Sequence, residues 1–273
     1  MIQTAHLFSE LDLALVTLLK SLSRDEWQAP TIVPRWNVHQ VAAHLLDTAL
    51  RRLSMCRDGW SPTAEPIHSE RDLVELINRL NAQGVETLGR YSPELLIALT
   101  ELVTPQLSAY FARLDPFARA SFAVSWAGEQ ESQNWFDIAR ELTERWHHQQ
   151  QIRLATNRPG IMTPRLYGPV LDTFMRVLPR TYRAVDAAHG TACDVVVPGE
   201  CGGRWRIQRN ESGWAHVGPD TDARVASLAV VPDDLAWRLF TRGATREEAL
   251  ARVEIHGDER LGAVILSALA IVG

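Results

Sequence analysis

Over the first two thirds of the chain, apolar residues recur at intervals of three and four, the spacing that gathers them on one helix face. "FSELDLALVTLLKSL", with Ser9 and Asp12 near its start, is the first such stretch. In "PTIVPRWNVHQVAAHLLDTALRRLSMC", Pro34 closes an extended entry and Asn37 is placed to cap a helix running to about Cys56. A Gly- and Pro-rich loop, "RDGWSPTAEPIHSE", leads to "RDLVELINRLNAQGVETLGRY" and then to "SPELLIALTELVTPQLSAYFARL", where Ser92 and Pro93 supply a cap and a first-turn proline. "DPFARASFAVSWAGEQESQNW" breaks the pattern. "FDIARELTERWHHQQQIRLAT" resumes it until "NRPG", and "LYGPVLDTFMRVLPRTYRAVDAA" predicts a further amphipathic helix ending near His189 and Gly190.

Beyond that point the period shortens to two. "CDVVVPG", "GRWRIQRN", "GWAHVG" and "ARVASLAVV" read as strands, with "NESG" a hairpin turn. "PDDLAWRLFTRG" is helical, "TREEALARV" opens on a Thr245/Glu248 capping box, "RVEIHG" is a short strand, and "DERLGAVILSALAIV" reads as a final helix capped by Asp258. The division predicts a helical domain over 1–189 and a small α/β domain over 190–273, an α plus α+β architecture.

A chain of 273 residues has ample material for both, and its 46% hydrophobic and 22% charged residues are those of a globular protein. A net charge of -5 with no Lys/Arg block offers nothing to a phosphate backbone, so nucleic acid is not an expected partner. The N-terminal stretch lacks the basic and small-residue marks of a signal peptide, and no uninterrupted apolar run reads as a bilayer span. A cytoplasmic protein with no membrane partner is the expectation. Cys56, Cys193 and Cys201 form no C-x-x-C pair and read as small buried hydrophobes.

One stretch resists the amphipathic reading. "ELTERWHHQQQIR" carries a carboxylate, two histidines and three glutamines where a buried helix should carry leucines. At about 100° per residue, Asp137, Glu141, Glu144, Gln151 and Ala155 fall within roughly a right angle of His148, whereas Leu142 and Trp146 point away. Glu144 and His148 lie one turn apart, roughly 6 Å at Cβ, and can converge on one cation. His44, set among Val41, Leu45 and Leu46, can supply a third donor from another helix. Two imidazoles and a carboxylate with open positions suit zinc and also admit nickel, iron or manganese. Each member also has a plain structural alternative: Glu144 paired with Arg140 on a solvated face, and His44 as a hydrogen-bonded core histidine. His147, offset by about 100° from His148, reads as an outer or surface residue. His39 reads as exposed. Arg51 and Arg145 are candidates to hold a substrate or cosubstrate carboxylate bidentately.

The two stretches are familiar together. "RWNVHQVAAHLLD" resembles the W-x-V-x-D-V-x-A-H-L segment, and "ELTERWHHQQQIRLA" the E-x-W-x-H-x-x-D-I-R segment, of the mycothiol-dependent maleylpyruvate isomerase family within the DinB-like superfamily. "VSWAGEQESQNWFDIARE" is similar to that family's approach to its last bundle helix, so the resemblance spans roughly residues 5 to 160. It implies a DinB-like up-and-down four-helix bundle with metal ligands at His44, Glu144 and His148. Two departures stand out: Gln151 replaces the aspartate that commonly follows the second His, and His39 occupies a position that is often charged. The C-terminal segment resembles a sterol-carrier-protein-like α/β domain, which implies a catalytic arginine at Arg242 or Arg238.

The resemblance implies a metal-dependent enzyme that uses a low-molecular-weight thiol such as mycothiol for isomerisation or S-transfer on a small, carboxylated electrophile. Arg242 and Arg51 are then the catalytic candidates, and Arg145 and Gln151 the cofactor-side ones. The same site could instead activate water as a hydrolase, or bind metal or a small ligand without turnover, as a stress or sensor protein. A homodimer is compatible with the sequence and not required by it.

Overall fold

A computed structural model describes residues 1–61, 67–221 and 223–271. Part of the Gly- and Pro-rich loop, residues 62–66, and the end of the C-terminal stretch lie outside the described residues. The helices of the N-terminal part are α1 (Phe8–Ser21), the single turn α2 (Arg24–Trp27), α3 (Val38–Arg52), α4 (Glu70–Leu88), α5 (Pro93–Arg113) and α6 (Asn134–Ala155). Helix α3 starts where the sequence asks: the Asn37 side chain accepts from the Gln40 N–H while Gln40 reaches back to Asn37, a reciprocal cap. It passes at Leu53 into a five-residue π turn that contains Cys56. Ser92 caps α5 with Pro93 in its first turn.

Helix α5 corrects one expectation. By length and composition it could cross a bilayer. In the fold it packs on α1 and α3 and buries Leu96, Val103, Leu107 and Phe111. The approach of α4 to α3 depends on Gly84, where a Cβ would lie 2.2 Å from the Asp47 carboxyl carbon.

The stretch after 163 is not one helix. Pro169 is accommodated inside α7 (Pro164–Phe174), and ahead of Pro179, which lacks a backbone donor, the chain passes through a 3-10 turn into α8 (Leu178–Thr181). Strands follow: β1 (Thr191–Val197), β2 (Gly203–Asn210), β3 (Gly213–Val217) and β4 (Arg224–Val230), then α9 (Asp233–Phe240), α10 (Arg246–Arg252), β5 (Glu254–Gly257) and α11 (Glu259–Gly262). The sheet order is β3-β2-β1-β4-β5, antiparallel except for the β1–β4 pair. The expected long final helix is only α11 plus a 3-10 segment to Ser267, because Ala268 turns extended so that Ala270 can donate to the Phe240 carbonyl.

Apolar side chains on both sides of residue 190 belong to one continuous core. Trp146 of α6 stacks on Tyr167 of α7 at 4.5 Å and meets the edge of Trp237 of α9 at 6.1 Å, while its indole N–H donates to the Ile161 carbonyl. The Tyr167 hydroxyl donates to the Asp233 carbonyl and accepts from the Trp237 N–H. Helix α6 thus lies between α1 and α3 on one side and α7 on the other, and its polar residues are enclosed with its apolar ones.

Candidate metal centre

Helix α6 is buried along nearly its whole length, so each of its polar groups must find a partner within the protein. Most do. Arg145 donates to the Asp12 carboxylate at 2.9 Å, and Ser108 meets the other Asp12 oxygen, tying α1, α5 and α6 together. Arg153 donates to the carbonyls of Arg158, Pro159 and Ala14. Near the helix start, Asp137 accepts from Arg52 of α3 and from Arg140, which also donates to Glu141 at 2.6 Å. Glu144 and the histidines at 147 and 148 stand apart from this ladder of internal pairs.

The histidines gather. The rings of His44 and His148 lie 4.5 Å apart and those of His147 and His148 4.0 Å apart, with Trp36 against His44 at 5.0 Å. His148 Nδ1 donates to the Gln151 side-chain oxygen at 2.8 Å, so the lone pair resides on Nε2, which lies 3.7 Å from a Glu144 carboxylate oxygen. That gap is too long for a hydrogen bond and suits two ligands facing one ion. His147 Nδ1 donates to the Thr143 carbonyl at 2.8 Å, leaving its lone pair on Nε2. One donor atom each from Glu144, His147 and His148 lie within 4.8 Å of one another. His44 Nδ1 is buried with no hydrogen-bond partner among the described residues.

Electrostatics favour the metal-binding forms. Burial, reinforced by His147, pushes the His148 imidazole down to about 3, and burial takes His147 to about 4. Burial and the neighbouring His148 hold His44 well below the usual histidine range. All three are therefore neutral at pH 7 with a lone pair to offer. Burial raises Glu144 despite the attraction of His148 and Arg140, and a divalent cation would lower it. An imidazole nitrogen with no hydrogen bond among the described residues, neutral rings and a half-buried carboxylate form a donor set that fits a divalent ion.

Several residues differ from their sequence assignments. His147 is not at the surface: it is 2% exposed, and Glu144, at i-3 from it and i-4 from His148, lies angularly between the two and can reach both. His39 is buried and its Nε2 donates to the Tyr91 carbonyl at 2.9 Å. The Arg145 guanidinium donates to the buried Asp12 carboxylate. Arg51 is bound to Asp47 and Asn81 at 2.7 Å each, bridging α3 to α4. Arg140 pairs with Asp137 and Glu141 rather than with Glu144. Gln151, in place of a carboxylate, still supplies the oxygen that fixes the His148 tautomer. Arg238 is engaged with Asp234 and Glu248. Arg242 is exposed, in the turn after α9, with a left-handed φ of 59°. At the next residue a Cβ would sit 2.8 Å from Ile32, so this turn is pressed on the loop that carries Trp36 into α3. The role of Arg52, buried with Asp137, was missed in the sequence, though its i+8 spacing from His44 put it on a neighbouring part of the same helix.

The family model for the mycothiol maleylpyruvate isomerase N-terminal domain matches residues 8–153. The chain belongs to this family. Two solved structures share the fold of this family member. The crystal structure of a mutant mycothiol-dependent maleylpyruvate isomerase superposes with a TM-score of 0.55 at 10% identity, covering 92% of this chain and 90% of that one. A second structure of a mycothiol-dependent maleylpyruvate isomerase gives 0.52 at 11% identity, covering 86% of each. The likeness therefore extends over both the bundle and the sheet. No curated protein matches the chain.

Proposed function

We propose that this family member is a metal-dependent enzyme that uses a low-molecular-weight thiol, mycothiol or a close relative, to isomerise a small unsaturated carboxylate of the maleylpyruvate kind. The observation that carries this reading is Glu144 and His148 facing each other across 3.7 Å on α6 with the His44 ring of α3 4.5 Å from that of His148, the His148 ring held neutral by burial. When bound there, a divalent ion supplies the Lewis acidity that brings a thiol's proton loss close to neutral pH.

The chain's own residues account for the rest. Gln151 holds His148 in one tautomer, and Trp36 walls His44 from one side. Glu144 retains 29% side-chain exposure, which leaves the cluster reachable from solvent. The thiol sulfur adds to the activated double bond, the former double bond rotates as a single bond, and the sulfur departs, so that no atom is gained or lost. Arg242 is the residue we assign to orienting the substrate carboxylate. Its left-handed backbone is uncommon for a non-glycine residue, and its turn abuts the loop leading to Trp36. Arg51, which donates to Asp47 and Asn81, is the second candidate for that role.

The test is turnover of maleylpyruvate with mycothiol by chelator-stripped protein before and after reloading with zinc, manganese, nickel or iron. Activity that needs both the thiol and a metal is expected. Hydrolysis products formed in the absence of the thiol would move the reading to a metal hydrolase.

A further inference from the structure

The donor atoms that stand together on α6 are those of Glu144, His147 and His148, and the His44 ring of α3 lies 4.5 Å from that of His148. Donor atoms sharing an ion with bonds of about 2.1 Å stand at most about 4.2 Å apart. Those of Glu144, His147 and His148 are already within 4.8 Å of one another, a difference that small side-chain rotations close. The geometry points to His147 as a fourth metal donor beside His44, Glu144 and His148, which makes the site one of three imidazoles and one carboxylate. This inference rests on the metal reading above and adds a ligand to it.

His147 is prepared for the part in the same way as His148. Its Nδ1 is committed to the Thr143 carbonyl, one turn back on the same helix, so the ring is fixed and only Nε2 is available. His148 is fixed by Gln151. Each ring therefore has a hydrogen-bonded outer nitrogen, the arrangement that orients metal-binding imidazoles. A surface or purely packing histidine needs no such neighbour: His147 is 2% exposed, against a second histidine ring at 4.0 Å and with a carboxylate in reach. Two uncharged imidazoles so close gain little from each other, and both gain from a shared cation.

The consequence concerns the ion. Four protein donors close a tetrahedral zinc site and leave no position for a thiol. An ion that accepts five or six donors, of the manganese, iron, nickel or cobalt class, keeps room beside the same four. The fourth donor thus selects against a strictly four-coordinate ion as the one that works here.

Cobalt(II) substitution reads this directly, because four-coordinate cobalt absorbs visible light far more strongly than five- or six-coordinate cobalt. The probes are Co(II) and Zn(II) added to chelator-stripped full-length protein and to His147→Asn, which keeps an N–H for Thr143 while removing Nε2. The wild type is expected to show the weak bands of a high-coordinate site. His147→Asn should show stronger bands and a loss of zinc affinity of at least about tenfold, the scale on which even an outer partner of a ligand counts. Melting of the metal-free proteins separates a lost ligand from a lost fold, and His147→Phe serves if the Asn variant does not fold. Unchanged cobalt bands and unchanged zinc affinity in a folded variant would overturn the inference and leave the metal reading standing. A wild type that takes up neither ion would remove both.

Discussion

Arg145 shows how a single residue can read as chemistry and serve as structure. A guanidinium on a helix rich in histidine and glutamine looks like a ligand clamp until its partner is known, and that partner, Asp12, lies 133 positions away. Sequence spacing reports neighbours along a helix and is silent about such pairs. Buried on both sides, the pair is costly to break from one end, because the remaining charge has no water. Asp12→Asn should destabilise the protein by about 3–5 kcal/mol, as measured by urea unfolding. The double change Asp12→Leu, Arg145→Met should cost far less, since well-packed apolar residues of similar size replace such pairs with little loss. Equal losses in the two would mean that the pair does not act as a unit.

At the level of the element, α6 presents two different faces. The carboxylate-imidazole pair at 144 and 148 was legible, since i and i+4 share a face whatever the helix packs against. What was not legible is that the helix is buried along most of its length, so that Gln149, Arg153 and His147 face protein rather than water. The roughly 100° between His147 and His148 leaves Glu144 between them, which a single pairwise angle does not reveal. The other face holds Trp146 against Tyr167 and Trp237. Trp146→Ala should therefore destabilise the protein by about 3–5 kcal/mol and expose the segment between α6 and β1 to limited proteolysis before the bundle itself is cut. Digestion at wild-type rate would show that the stacked rings do not hold α7 and α9 to the bundle.

For the molecule as a whole, the sequence located the change from helix to strand at about residue 190, because the hydrophobic period itself changes there. It could not show that the apolar side chains of the two parts merge into one core, since packing between elements leaves no periodic trace. A shared core predicts shared lability. His216 of β3 is held neutral by burial, with the Arg176 charge adding to it, and its imidazole is pushed down to about 4. Above the ordinary histidine value of 6.5 neither the folded nor the unfolded state is protonated, and the group has no effect on stability. As the pH falls from 6.5 towards 4, the unfolded chain takes up a proton that the folded one refuses, so stability is lost through that window. Thermal melts should show wild type losing more of its melting temperature between pH 7 and pH 4 than His216→Gln. Parallel curves would contradict the assignment.

The central claim is that α3 and α6 together hold one divalent ion. Its most direct measurement is the metal content of purified protein, determined by elemental analysis for wild type and for the double variant Glu144→Gln, His148→Asn after equilibration with the same ions. The account predicts a stoichiometric ion in the wild type and a trace in the variant with its fold intact. A variant that retains the full complement, or a wild type that holds none, would contradict it.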